Sequence, residues 1–128
     1  MSQDMPRVVI GMDPHKRTAT IEVMTADEII VGGGQFTTDT DGYTAMRDYG
    51  RQWPERVWAV EGCEGIGRHI AQRLIADAEP VLDVPAKLSA RVRVFDTGNA
   101  RKTDPVDAHA VAMAALRTPR LKVQGRAR

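Results

Sequence analysis

The sequence predicts an α/β fold, a mixed sheet with helices on both faces, and three observations predict it. Three segments rich in β-branched residues follow one another through short loops. Strand-like and helix-like segments then alternate, and a long small-residue helix closes the series. "RVVIGMD" (7–13), "TATIEVM" (18–24) and "EIIVGGGQFTT" (28–38) are joined so closely that they form an antiparallel meander. The Gly32-Gly33-Gly34 run in the third reads as a bulge or bend, and without a following Lys-Ser/Thr it is weak evidence for a phosphate loop.

"TDTDGYTAMRDYGRQW" (38–53) predicts a helix with Tyr43, Met46 and Tyr49 or Gly50 along one face. "RVWAVEG" (56–62) is a strand. "GIGRHIAQRLIADA" (65–78) sets Ile66, Ile70, Leu74 and Ala78 at helical spacing. "EPVLDV" (79–84) is a short strand and "PAKLSARVRVF" (85–95) a helix, before the helix that begins in "RKTDPVDAHAVAMAAL" (101–116). Right-handed crossovers place the fourth strand beside the first. The order β β β α β α β α α is that of the ribonuclease H-like fold. Trp53, Trp58, Phe36 and Phe95 fall mostly on apolar faces and are read as core.

Composition narrows the classes. With 128 residues, 42% hydrophobic and 27% charged, the chain suits one folded domain. No run approaches the roughly 20 apolar residues of a membrane span, and the amino terminus lacks a signal-peptide core. The single Cys63 excludes an internal disulfide and a cysteine zinc site, so a cytoplasmic location is expected. The net charge of +1 hides a division: residues 1–86 hold 8 Lys/Arg against 14 Asp/Glu, residues 87–128 hold 10 against 3. One side is expected to face a polyanion while the other gathers carboxylates. The basic stretch 118–128 reads as a linker or tail, which puts the folded domain at 1–117.

Four acids carry the chemistry. Asp13 ends the first strand, before a proline that keeps it extended, and Glu61 ends the fourth. If those strands are parallel neighbours, both acids lie at the carboxyl edge, where open α/β sheets bind ligands. Asp104 and Asp107 lie three apart in a first helical turn, on one face. They also suit helix initiation, as N-cap and first-turn acid around Pro105. Capping accounts for one helix but gives Asp13 and Glu61 no partner. Four hard oxygen ligands suit Mg²⁺ or Mn²⁺. Two such ions about 3.5–4 Å apart activate a water or 3′-hydroxyl and stabilise the leaving oxygen of a phosphodiester.

"GMDPHKRTATIEV", "AVEGCEGIGRHIAQRL", "DVPAKLSARVRVFDTG" and "RKTDPVDAHAVA" together resemble the amino-terminal domain of the DEDD insertion-sequence transposases, bacterial enzymes related to the Piv DNA invertases. That domain is similar to the RuvC Holliday-junction resolvase. The resemblance implies metal-dependent cleavage and strand transfer on DNA, with Asp13, Glu61, Asp104 and Asp107 as the metal-binding acids. It also implies a structured RNA or DNA-junction partner, a homo-oligomer and a carboxyl-terminal domain bearing a serine nucleophile. No such domain precedes Arg128.

Arg101 and Lys102 are placed either to hold a phosphate beside the metals or to be an exposed loop pair. Arg91, Arg93 and Lys87 form a basic helix surface, and Lys16 and Arg17 lie in the first hairpin loop. His15 is a loop residue near Asp13, His69 a helix-surface residue, and His109 points about 200° away from Asp107. Two other function classes compete: a non-catalytic nucleic-acid-binding module of the same fold, and an actin-like kinase or ATPase. The kinase requires a second glycine-rich loop that is not visible.

Overall fold

A computed structural model describes residues 6–63, 65–97, 104–121 and 123–124. The strands β1 (Val8–Pro14), β2 (Thr18–Thr25), β3 (Ile30–Thr37), β4 (Arg56–Glu61), β5 (Val81–Val84) and β6 (Val123–Gln124) form one sheet. Its order is β3-β2-β1-β4-β5-β6. β1, β2 and β3 make the expected antiparallel meander, while β1, β4 and β5 run parallel. The stretch read as a linker contributes β6, which pairs antiparallel with β5. Two residues are too few to show as a strand by periodicity.

Two cores follow from the alternation of side chains along the strands. On one face Val8, Ile10, Met12, Ile21, Trp58 and Val60 meet helices α1 (Thr40–Gly50) and α2 (Arg68–Ala76). On the other, Val9, Met24, Ala59 and Val84 meet α3 (Ala86–Thr97) and α4 (Asp104–Arg117). Trp58 is fully buried; burying an aromatic or large aliphatic side chain of this kind contributes about 1.5–3 kcal/mol. α1 starts where Asp39 accepts the Gly42 amide at 2.8 Å, and it buries Tyr43, Met46 and Gly50 as its spacing predicts.

α2 is shorter than its pattern suggested. Ile66 lies before the helix and is exposed, and Ala78 lies beyond it with φ of 65°. Ile70, Ala71 and Leu74 make the buried stripe instead. The glycine triplet is not itself the irregularity: the register shifts between Val23 and Met24, which pair with Gly32 and Ile30, so the extra residue is Val31. The glycines provide room: a Cβ on Gly32 would stand 2.5 Å from the Tyr49 hydroxyl and 2.9 Å from Trp53.

Gly11 decides how α4 sits. A Cβ there would lie 2.5 Å from the Ala108 carbonyl oxygen and 2.6 Å from the Ala112 nitrogen. The helix backbone therefore rests directly on β1, and Ala108, Val111 and Ala112 are buried beneath it.

At the opposite end of the sheet from Asp13, Glu79 is a buried carboxylate that sequence reading did not single out. Arg56 donates to it through Nε at 2.8 Å and Nη2 at 2.7 Å, Trp58 Nε1 at 2.8 Å and Arg51 Nε at 3.1 Å. Burial pushes its pKa up, but the donors from Arg56, Trp58 and Arg51 outweigh burial and hold it below the usual carboxylate value.

Gly11→Ala is expected to destabilise the fold by about 1–3 kcal/mol through overpacking, read as a lower urea midpoint with an unchanged slope. Glu79→Gln is expected to be less stable than the parent at pH 7. A depressed carboxylate pKa contributes stability above the unfolded value and loses it as pH falls through the folded one. Urea titrations should therefore show the gap closing as pH drops below about 4.5.

Candidate active site

β1 and β4 are parallel neighbours, with Met12 level with Val60, so Asp13 and Glu61 fall level one residue further on. Both continue the face that carries Gly11 and Ala59, the face covered by α3 and α4. Gly62 follows Glu61 with φ of 71°, a conformation that favours glycine, and turns the chain away at once. Asp13 is 1% exposed, Glu61 6% and Asp107 0%. Asp107 arrives on α4 immediately before Ala108, the residue seated on Gly11. Thus the tight contact at Gly11 seats the start of α4, with Asp107 next to the contact residue, on the strand that carries Asp13.

Each acid meets a protein group. Asp13 Oδ2 lies 2.7 Å from His15 Nε2. Glu61 is hydrogen-bonded by the Ser89 hydroxyl, which also lies 3.0 Å from the Ala86 carbonyl. Asp107 Oδ1 accepts from Arg93 Nη1 at 3.0 Å, an ion pair with both side chains buried. Ser89 and Arg93 are one turn apart on the inward side of α3, so this helix supplies a donor to one acid and a cation to another.

Comparisons with known proteins give the arrangement a family. A transposase family model, the IS110-type DEDD transposases, matches residues 10–126. The chain belongs to this family. Two solved structures of Thermus thermophilus RuvC share its fold. One, in complex with a Holliday junction substrate, has a TM-score of 0.65 at 15% identity and covers 91% of this chain and 99% of its own. The other, described as Thermus thermophilus RuvC structure, has a TM-score of 0.64 at 15% identity with the same coverage. No curated protein matches the sequence. The chain is therefore a RuvC-like domain of the transposase family, and the actin-like kinase reading falls away.

In this transposase domain the expected site residues are only partly gathered. Asp104 opens α4, and its side chain lies outside the described residues, as do Arg101 and Lys102 entirely. Lys16, Lys87 and Arg91 are exposed. Arg93 corrects the expectation of a basic outer surface: it turns inward to Asp107 and is 6% exposed. Among the described residues, no group of three or more His, Cys, Asp or Glu is placed to hold a metal ion. Again among the described residues, no helix is long and apolar enough to cross a membrane.

Ser89 was missed, although its signal was present in "AKLSARVRVF": Ser89, Val92 and Arg93 share one helical face. His109 meets Glu22 of β2 and not the acids, in keeping with its angle from Asp107. His15 is more than a plain loop residue, since it contacts Asp13.

Arg93→Met, which leaves the Asp107 charge buried without its ion-pair partner, is expected to cost about 3–5 kcal/mol. Arg93→Met with Asp107→Leu is expected to recover a large part of that loss. Equilibrium denaturation of the parent, the single and the double variant checks the pair by its non-additivity.

Proposed function

We propose that the domain cleaves and joins DNA phosphodiesters with Mg²⁺ or Mn²⁺, two ions in the complete site, held by Asp13, Glu61, Asp104 and Asp107. The observation that carries this reading is the placement of Asp13 and Glu61, buried, level and on one sheet face, with Asp107 brought over that face by α4. Buried carboxylates so close to one another repel, and a fold keeps them together at a cost unless something positive binds there.

The donor chemistry fits a hard divalent ion, because the groups are carboxylate oxygens and Cys63 is buried under β4. The ion would supply Lewis acidity and a nucleophile activated at neutral pH. The chain's own residues do the positioning. His15 fixes the Asp13 carboxylate, Ser89 fixes Glu61 and Arg93 fixes Asp107. Loading the site would exchange one or more of these contacts for the cation. Arg101 and Lys102 would hold the phosphate from the segment that precedes α4. In the same reading, a carboxyl-terminal serine-bearing domain, a structured RNA guide and a homo-oligomer complete the recombining enzyme.

One observation favours the second reading, a nucleic-acid-binding module without metal: the described acids are engaged by protein groups and do not gather three together. A thermal-shift titration separates the two. The parent chain is expected to gain about 2.7 kcal/mol of stability when Mn²⁺ is at 100 times its dissociation constant. Asp13→Asn and the Asp104→Ala/Asp107→Ala pair are expected to lose that gain. Equal shifts in all three proteins would sink the metal site.

A further inference from the structure

The β1–β2 hairpin and the first turn of α2 enclose a cleft of about 270 Å³ on the sheet face opposite the acids. Pro14 and His15 lie on its wall, so it opens beside the end of the strand that carries Asp13. Lys16, His69 and Arg73 supply its polar lining and Ile66 and Ile70 its apolar part, and among the described residues no carboxylate lines it. Asp39 and Asp77, near Arg73, have other hydrogen-bond partners. Asp39 caps α1 through the Gly42 amide and accepts from Thr37, while Asp77 accepts from Tyr43 and Arg47.

Arg73 is held rather than loose. Its Nη1 donates to the Thr38 carbonyl at 2.9 Å, and its guanidinium lies 4.2 Å from the centre of the Tyr43 ring. Lys16 and His69 are exposed at the mouth. α2 also begins against the usual rule: its N-cap is Gly67 with no side-chain cap, its first turn has no acid, and Arg68 and His69 stand there instead. Positive groups at the positive end of a helix dipole are locally unfavourable, and an anion in the cleft would offset them. Ile66, a large apolar side chain left in water, sits at the same mouth.

We propose that this cleft is a subsite for the backbone of the DNA strand passing the acidic edge. Lys16, His69 and Arg73 face a phosphodiester, and Ile66 contacts the adjoining sugar or base. The volume suits a nucleotide-sized group, and the close seat of Gly67 on the Glu61 carbonyl and Pro14 ties the cleft to both acid-bearing strands: a Cβ on Gly67 would lie 2.8 Å from Glu61 O and 3.0 Å from Pro14 Cγ. The inference rests on the DNA-processing reading above and adds a binding site that the metal acids do not include.

Fluorescence anisotropy of the whole chain with a labelled single-stranded DNA, titrated with salt in EDTA, tests it. Lys16→Gln/His69→Gln is expected to weaken binding roughly tenfold at low salt, and to reduce the slope of log affinity against log salt by about 0.7–1. Lys16→Glu is expected to weaken it further, and Arg7→Gln, at the other end of β1, to leave it unchanged. Unchanged affinity and slope in the cleft variants, or no DNA binding by the parent, would overturn the subsite. A loss seen with RNA of the same sequence but not with DNA would overturn it too. The cleft variants are expected to keep the Mn²⁺ thermal shift, and Asp13→Asn to lose that shift while keeping DNA affinity, so failure of the cleft and failure of the metal site read out separately.

Discussion

The contact between Gly11 and the backbone of α4 sets the geometry on which the acidic edge depends. A helix resting on a sheet normally stands off by the depth of two side-chain layers. Here one layer is missing at Gly11, and alanines at 108 and 112 thin the other. The helix drops towards β1, and the residue just before the contact is Asp107. Any side chain at position 11 would lift the helix start and carry the acid with it. The small residues of α4, unremarkable as composition, thus control the position of a charge.

α3 performs the matching task for electrostatics. Buried carboxylates require donors, and α3 provides a hydroxyl to Glu61 and a guanidinium to Asp107 from adjacent turns of one face. At the far end of the sheet Glu79 faces the same requirement and meets it with two arginines and an indole. The two ends differ in kind. Glu79 is surrounded by several donors that serve stability, whereas Asp13, Glu61 and Asp107 each meet a different protein group, His15, Ser89 and Arg93.

Much of this was legible in the sequence because its signals are local. Alternation marked the strands, the spacing of Tyr43 and Met46 marked α1, and the strand-terminal Asp13 and Glu61 marked the edge. What escaped depended on partners distant in the chain. Arg93 looks like one of several outward cations until α4 brings Asp107 to it. Glu79 reads as the first residue of a short strand until Arg56 and Trp58 close over it. Ile66 matched a helical period, but the Gly62, Gly65 and Gly67 loop delays the helix beyond it. β6 has only its pairing with β5 to declare it.

The seat of α4 on β1 at Gly11 has a kinetic side. About a hundred residues separate Gly11 from Ala108, so this contact closes a loop over most of the described residues. Contacts of such long sequence separation form late, after the entropy of loop closure has been offset by nearer contacts. The meander and the β1–β4 pair can assemble while α4 is still apart, and until it docks Asp107 is not buried beside Arg93. The burial of Asp107 against Arg93 is thereby tied to completion of the fold, and a nascent or partly unfolded chain has the acids without that arrangement.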